Sequence, residues 1–286
     1  MTHPVKGIDH CFALVDDLDA AAAQYAALGF TLSPRGTHSA AKGTANYTIM
    51  FPEDYFELLG VLEPTELNAA RREMLATMGQ GLHAIACRID SAEQAAEALA
   101  ELGIATQGLG SFSRPVPLPD GSEGIAAFST VSFTSDDLPL GMVFMCQHKT
   151  RDTVWVPELL THANTACGLD AILAISETPA EDAARFARLW AKGSVSTEDG
   201  LTTITTGPNS APLILATPDR MAARYPDLDL SATAKGGFTV LRVKVQSLDS
   251  AKDCLLASQV TFRETATGLA VAPEFSAGVL LEFVPA

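Results

Sequence analysis

One local pattern occurs four times in this chain and constrains its fold more than any other feature. An apolar run leads into a polar turn and then a helix. Gly7 to Phe30 (GIDHCFALVDDLDAAAAQYAALGF) is the clearest copy, with an acidic turn at Asp16, Asp17 and Asp19 and a stop at Gly29. Gly81 to Gly103 (GLHAIACRIDSAEQAAEALAELG), Gly168 to Ala191 (GLDAILAISETPAEDAARFARLWA) and Phe238 to Ser258 (FTVLRVKVQSLDSAKDCLLAS) repeat it. Further short strand-like runs follow each copy, so each unit reads βαβββ. Such a unit cannot cover its own sheet, and pairing of units is the expected way to bury it. The four units are expected to form two halves, 1–150 and 167–286, with 151–166 crossing between them.

Module one places strands at Ile8–Val15, Phe30–Leu32, Thr44–Phe51 and Tyr55–Gly60, with Asp17 or Asp19 capping the helix. Glu63 to Gln80 reads as a solvated linker helix. Module two places strands at Leu82–Ile89, Ile125–Thr134 and Gly141–Gln147, around a helix capped by Asp90 or Ser91. Between them GLGSFSRPVPLPDGSEG reads as a long loop, of the kind that borders sites. Modules three and four close with Leu201–Thr206, Pro212–Ala216, Gly268–Ala272 and Gly278–Val284.

The formal net charge of −15 argues against nucleic acid and anionic membrane surfaces as partners, since both would repel the chain. It leaves open a small-molecule ligand in a locally basic pocket. No apolar run reaches the roughly 20 residues that span a bilayer, and MTHPVKGIDH lacks the apolar segment of a secretory signal. The five scattered cysteines read as buried free thiols of a reducing compartment, so the expectation is a cytoplasmic protein. Monomer and homodimer both remain open.

The repeat, with a histidine in a first strand and a glutamate in a last strand, resembles the vicinal oxygen chelate superfamily of glyoxalase I, the bleomycin- and fosfomycin-resistance proteins and the extradiol dioxygenases. GIDH, the helix ending LGF and DYFELLG (Asp54–Gly60) carry that resemblance. GTAN (Gly43–Asn46), FSRP (Phe112–Pro115), LPDG (Leu118–Gly121) and CQH (Cys146–His148) are similar, more narrowly, to the glyoxalase-like domain proteins. The resemblance implies an α+β fold in which four βαβββ modules pair into two incomplete barrels. It also implies a divalent metal (zinc, nickel, manganese or iron) held by first and last strands. The implied ligands are His10 and Glu57 of module one and His83 of module two. The fourth position aligns with Met145, a poor ligand for a hard ion, and Gln147, two residues on, shares its strand face and can replace it. His148 points to the opposite face and reaches the site only where the strand ends or bulges. The second half has Ala171 where the first has His10, and keeps only Glu282, so a single site is expected in the first half.

On this reading Glu57 and His148 are catalytic candidates, beside the metal ligands His10, Glu57, His83 and Gln147. Each has a plainer alternative: a satisfied core histidine, a salt-bridged glutamate, a barrel hydrogen bond. Arg114 is the candidate clamp for an anionic group, since a guanidinium matches a carboxylate or phosphate in two-point geometry. Asn46 and Trp155 are candidate substrate contacts. His38 and His162 read as solvated loop residues. The implied function is a metal-dependent lyase or isomerase of glyoxalase type. The alternatives are a metal-free binding protein of the drug-resistance kind and an extradiol-type dioxygenase.

Overall fold

The computed structural model describes residues 2–118 and 121–286. The LPDG string therefore falls partly on residues outside the described set. Each module is βαβββ. The first contains β1 (Ile8–Val15), α1 (Leu18–Ala27), β2 (Gly36–Thr37), β3 (Thr44–Met50) and β4 (Tyr55–Val61). After α2 (Ala69–Met78) the second contains β5 (Gly81–Arg88), α3 (Ala92–Glu101), β6 (Thr106–Pro117), β7 (Glu123–Phe133) and β8 (Met142–His148). The third runs β9 (Ala166–Ile175), α4 (Pro179–Ala187), β10 (Ser194–Glu198), β11 (Leu201–Thr205) and β12 (Leu213–Ala216). After α5 (Pro218–Arg224) come β13 (Val240–Val245), α6 (Leu248–Ala257), β14 (Phe262–Glu264), β15 (Leu269–Val271) and β16 (Leu280–Pro285).

The helix starts follow from side-chain capping of free backbone N–H groups. Asp17 accepts from the amides of Asp19 and Ala20 to open α1, and Ser91 accepts from Gln94 to open α3. The strands form two eight-stranded sheets, β2-β3-β4-β1-β5-β8-β7-β6 and β10-β11-β12-β9-β13-β16-β15-β14. In each, the two modules join through an antiparallel pair of first strands, β1 with β5 and β9 with β13. The first sheet curls until its end strands β2 and β6 approach each other. Gly36 permits that approach: a Cβ there would lie 2.3 Å from Asn46 Oδ1 and 2.5 Å from the central guanidinium carbon of Arg114.

Three sequence expectations are corrected. The long loop of module two is a regular hairpin, β6 against β7 in register from Gly110 with Thr130 to Pro117 with Glu123. Phe30–Leu32 is not a strand, and the short edge strands β2, β10 and β14 take that role. Edge strands of this kind are short and polar, and β10 is exposed along its whole length, so no apolar alternation marks them. Finally, α2 is a linker helix with no buried residue, but it does not stand clear in solvent: Met74 and Leu75 pack against the cluster of Phe12, Leu14, Leu59 and Ala84.

One continuous core joins the halves, containing Tyr25, Phe56, Leu189, Trp190 and Phe283. Phe30 stacks on Phe283 at a centroid distance of 5.7 Å, and the Tyr25 hydroxyl donates to the Ser276 carbonyl. His162 is buried here rather than solvated: Nδ1 accepts from the Thr31 amide and Nε2 donates to the Met50 carbonyl.

Asp54 is buried at the same junction, accepting from the Leu169 amide at 3.0 Å. Burial pushes its carboxyl up from 3.8 to about 7, against the opposing pull of that amide and of Arg88 and Lys244. The folded chain therefore keeps Asp54 protonated between these two values. Its contribution to stability is fully present below pH 3.8 and is lost as pH rises towards 7. Asp54→Asn is expected to raise stability at pH 8 by on the order of 2–4 kcal/mol. No difference is expected at pH 4. Paired denaturant titrations at the two pH values check this, and equal gains at both would refute it.

Candidate functional site

The first barrel encloses a cavity of about 170 Å³, room for a small molecule. Inward-facing residues of β1, β3 and β4 supply its polar floor. His10 and Glu57 meet there, with Nε2 and Oε2 3.8 Å apart. Asn46 Nδ2 donates to Glu57 Oε1 at 2.7 Å, which fixes the carboxylate and leaves Oε2 on the cavity side. Phe12, Leu59, Met142 and Phe144 form an apolar wall.

His10 is held from behind. Asp9 is the additional residue at an irregularity between Ile8 and His10, where the β1–β5 register shifts. Its Oδ2 lies 2.9 Å from His10 Nδ1 and 2.9 Å from His148 Nε2, and Arg88 Nε lies 3.4 Å from Oδ1. Burial would raise the Asp9 carboxyl, but hydrogen bonds from His10 and His148 overcome it and hold the group well below the ordinary carboxylate range. Tyr55 stacks on His10 at 4.2 Å, and Trp155 lies edge-on to both Tyr55 and His148.

The cavity also carries cations. Arg114 reaches it from β6, Arg71 from α2 and Lys42 from the β2–β3 connection, beside His38. Burial, then the charges of Lys42, Arg114 and Arg71, push the His38 imidazole down to about 3. Burial and Arg71 bring the Lys42 ammonium down to about 8. The Cys146 thiol also lines the space, and burial pushes it up, so it supplies no ready thiolate.

Of the residues expected from the sequence, His10, Glu57, Asn46 and Arg114 thus line one cavity. Gln147 does not join them. Strand β8 alternates regularly: Met142, Phe144 and Cys146 face the cavity, while Val143 and Met145 face the helix-side core. Gln147 follows Met145 and accepts from the Ala92 amide at the start of α3. The same alternation puts His148 on the barrel side without any bulge, where it meets Asp9, so its expected orientation is also corrected. Trp155 stands behind Tyr55 and donates to the Phe51 carbonyl.

His83 is likewise absent from the lining. Aligned from their opening glycines, GIDH and GLHA match His10 with Ala84 and Asp9 with His83. A register shift between Phe12 and Ala13 leaves His83 as an additional residue of β5, its Nδ1 bound to the Gly81 carbonyl. On β5 it is Ala84 and Ala86 that pack against the cavity-lining Phe12, Phe128 and Cys146.

The expected ligand set of His10, Glu57, His83 and Gln147 is not assembled in this cavity. His10 and Glu57 face the cavity with Asn46 and His38, but alanines on β5 and Phe144 and Cys146 on β8 provide no hard donor from module two. Guanidinium and ammonium groups share the lining with the carboxylate. Asp9, His10 and His148 do form a cluster that could hold an ion, with one ligand atom of each within 4.8 Å of the others. It lies behind His10, and neither Asp9 nor His148 lines the cavity.

On the second sheet the corresponding position carries an internal ion network. Ala171 pairs with Arg242, whose guanidinium lies 3.0 Å from Asp170 Oδ2 and 3.4 Å from Glu282 Oε2. Glu282 is fully buried and also accepts from Tyr225, Thr265 and Thr267.

A family model described as the glyoxalase-like domain matches residues 8–190 of this sequence. The chain belongs to the glyoxalase-like domain family. A hypothetical protein from Staphylococcus aureus is similar in structure at 15% identity and a TM-score of 0.67, covering 98% of this chain and 99% of that one. A mutant of 4-hydroxymandelate synthase from Streptomyces coelicolor aligns at 14% identity and 0.55, over 99% and 93% of the two chains. A variant of homoprotocatechuate 2,3-dioxygenase from B. fuscum aligns at 13% and 0.59, over 100% and 72%. At these identities the likeness is one of fold: glyoxalase-like modules paired as in the vicinal oxygen chelate superfamily. No curated protein matches the sequence. Among the described residues, no helix is long and apolar enough to cross a membrane.

Proposed function

We propose that the first barrel is the substrate site of a lyase or isomerase that moves a proton on a small oxygen-bearing molecule, with Glu57 as base and His10 as its partner. The observation that carries this reading is the His10–Glu57 pair on the cavity floor, each oriented by a residue of its own, Asp9 and Asn46. Orientation of this kind is what general acid–base chemistry requires. Asn46 holds one oxygen of Glu57, so the other is free to take a proton from a carbon next to a carbonyl. The electron pair of the broken C–H bond moves to the carbonyl oxygen. Asp9 accepts the Nδ1 proton of His10, which makes Nε2 the nitrogen that gains or loses a proton at the cavity. Protonated there, it donates to the developing enolate oxygen and returns the proton in the second half of the cycle. The apolar wall of Phe12 and Phe144 keeps water from the intermediate.

A metal-free binding protein is the second reading, favoured by the missing donors of module two. Deuterium wash-in separates the two. Small 2-hydroxy and 2-oxo acids, free and phosphorylated, are incubated with the protein in D2O and followed by proton NMR. Catalysed loss of a carbon-bound proton signal is expected for at least one that binds. Binding without exchange across the panel would leave only the binding reading.

A further inference from the structure

Arg71, Arg114 and Lys42 converge on the cavity from three separate elements, and among the described residues none has a carboxylate within ion-pair distance. Each guanidinium is held down by burial, and Arg71 Nε is buried with no hydrogen-bond partner. Lys42 places its ammonium 3.0 Å from the centroid of the Phe112 ring, a contact that leaves its N–H donors unused. Among the described residues Glu57 is the single carboxylate lining the space. Three cations against one anion leave a local excess of two positive charges inside a chain of net charge −15.

Lys42, Arg71 and Arg114 are half-buried, and withdrawing cations from water even in part without partners is costly, so such groups are ordinarily paired. Here the arrangement is built rather than incidental. Asn68 is fully buried at the start of α2, and its Nδ2 donates to the carbonyls of Lys42 and Glu63 at 2.9 and 2.8 Å. It therefore ties the chain turn carrying Lys42 to the helix carrying Arg71. Gly43 makes that junction possible: its φ is +58°, and a Cβ there would lie 2.4 Å from the Glu63 carbonyl oxygen.

We propose that the substrate carries a compact dianionic group, a phosphate monoester or a closely spaced dicarboxylate, seated on Arg71, Arg114 and Lys42, with its remainder directed to the apolar wall. This rests on reading the cavity as the substrate site, but binding tests it separately from catalysis. Two negative charges neutralise the local excess, and guanidinium forks match phosphate and carboxylate oxygens. A monoanion would leave one half-buried cation uncompensated.

The test is calorimetric titration of the purified full-length chain with inorganic phosphate, malonate and acetate at constant ionic strength. Phosphate or malonate is expected to bind at least about tenfold more tightly than acetate. Preference for phosphate assigns a phosphate ester, and preference for malonate assigns a dicarboxylate. Arg71→Gln and Arg114→Gln are each expected to weaken the preferred anion about 10–100-fold, the loss typical of a charged hydrogen bond. Glu57→Gln is expected to tighten it, because a competing negative charge is removed, and this holds even if an arginine variant fails to fold. Arg220→Gln, on the second barrel, is expected to change nothing. Malonate affinity is also expected to fall above pH 8, as Lys42 loses its charge. Equal binding of acetate, no binding of any probe, or a Glu57→Gln variant that binds no tighter would overturn the proposal. Anion binding without proton exchange would instead refute the catalytic role of Glu57 and leave the dianion site standing.

Discussion

Glu57→Gln is expected to lower the rate of deuterium wash-in by about 10²–10⁴-fold, the usual contribution of a positioned general base. Gln keeps an oxygen for Asn46 Nδ2 to donate to and nearly the same volume. What it lacks is the second basic oxygen facing the cavity. Anion binding should survive and strengthen, so a loss of exchange is not a loss of the site. Asp9→Asn distinguishes a positioning role from a merely structural one. It leaves the cavity lining untouched but weakens the hold on the Nδ1 proton of His10, so it is expected to shift the pH–rate profile as well as its height. A Glu57→Gln variant that exchanges within about threefold of wild type would remove this carboxylate from the mechanism.

The second large effect is expected far from the cavity. Arg242→Met should destabilise the chain by about 3–5 kcal/mol, because it leaves Glu282 buried with little to balance its charge. The remaining nearby cation, Arg224, lies 3.9 Å away, and the hydroxyls of Tyr225, Thr265 and Thr267 cannot neutralise a carboxylate. Adding Glu282→Leu should recover most of the loss, since an apolar pair of similar volume is often as stable as a buried ion pair. Denaturant midpoints for the single and double variants settle this, and a single variant within about 1 kcal/mol of wild type would show that the network carries little. Phosphate and malonate binding should be unchanged in both. The two sheets thus share a strand order and differ in the charges they carry. The second neutralises its buried glutamate internally, whereas the first leaves its cations facing open space.

Much of the fold was legible because it is written in local periodicity. The repeated strand, polar turn and helix marked all four modules, and capping residues such as Asp17 and Ser91 marked helix starts. The short edge strands were not legible, since a strand exposed along its length has no apolar face to reveal it. The polar floor of the site was partly legible. Glu57 stands out as a charge in an apolar strand, and His10 and Asn46 lie on strands that the repeat places beside it. The cations were harder. Arg71 sits on a polar helix that carries neighbouring Arg72 and Glu73, and Lys42 and His38 lie in a turn-rich stretch, so nothing local distinguishes them from solvated groups. Asp9 did leave a signal, an acidic residue inside an apolar strand that recurs at Asp170.

By itself the sequence determined the modular architecture and the loss of the His10 match in the second half, while His10 and Glu57 were singled out through the family resemblance. The first two depend on patterns within a few residues. The tertiary structure decided which residues share the cavity with them. A strand residue's face depends on register, and a single additional residue, as at Asp9 or His83, changes it. Regular alternation through β8 turned Gln147 to the helix side and His148 to the barrel. Closure of β2 onto β6, and the seating of α2 against Phe12 and Leu59, brought Arg114, Arg71 and Lys42 together from separate parts of the chain. No local pattern encodes a meeting of that kind, because the energy that drives it comes from burying apolar surface elsewhere in each element.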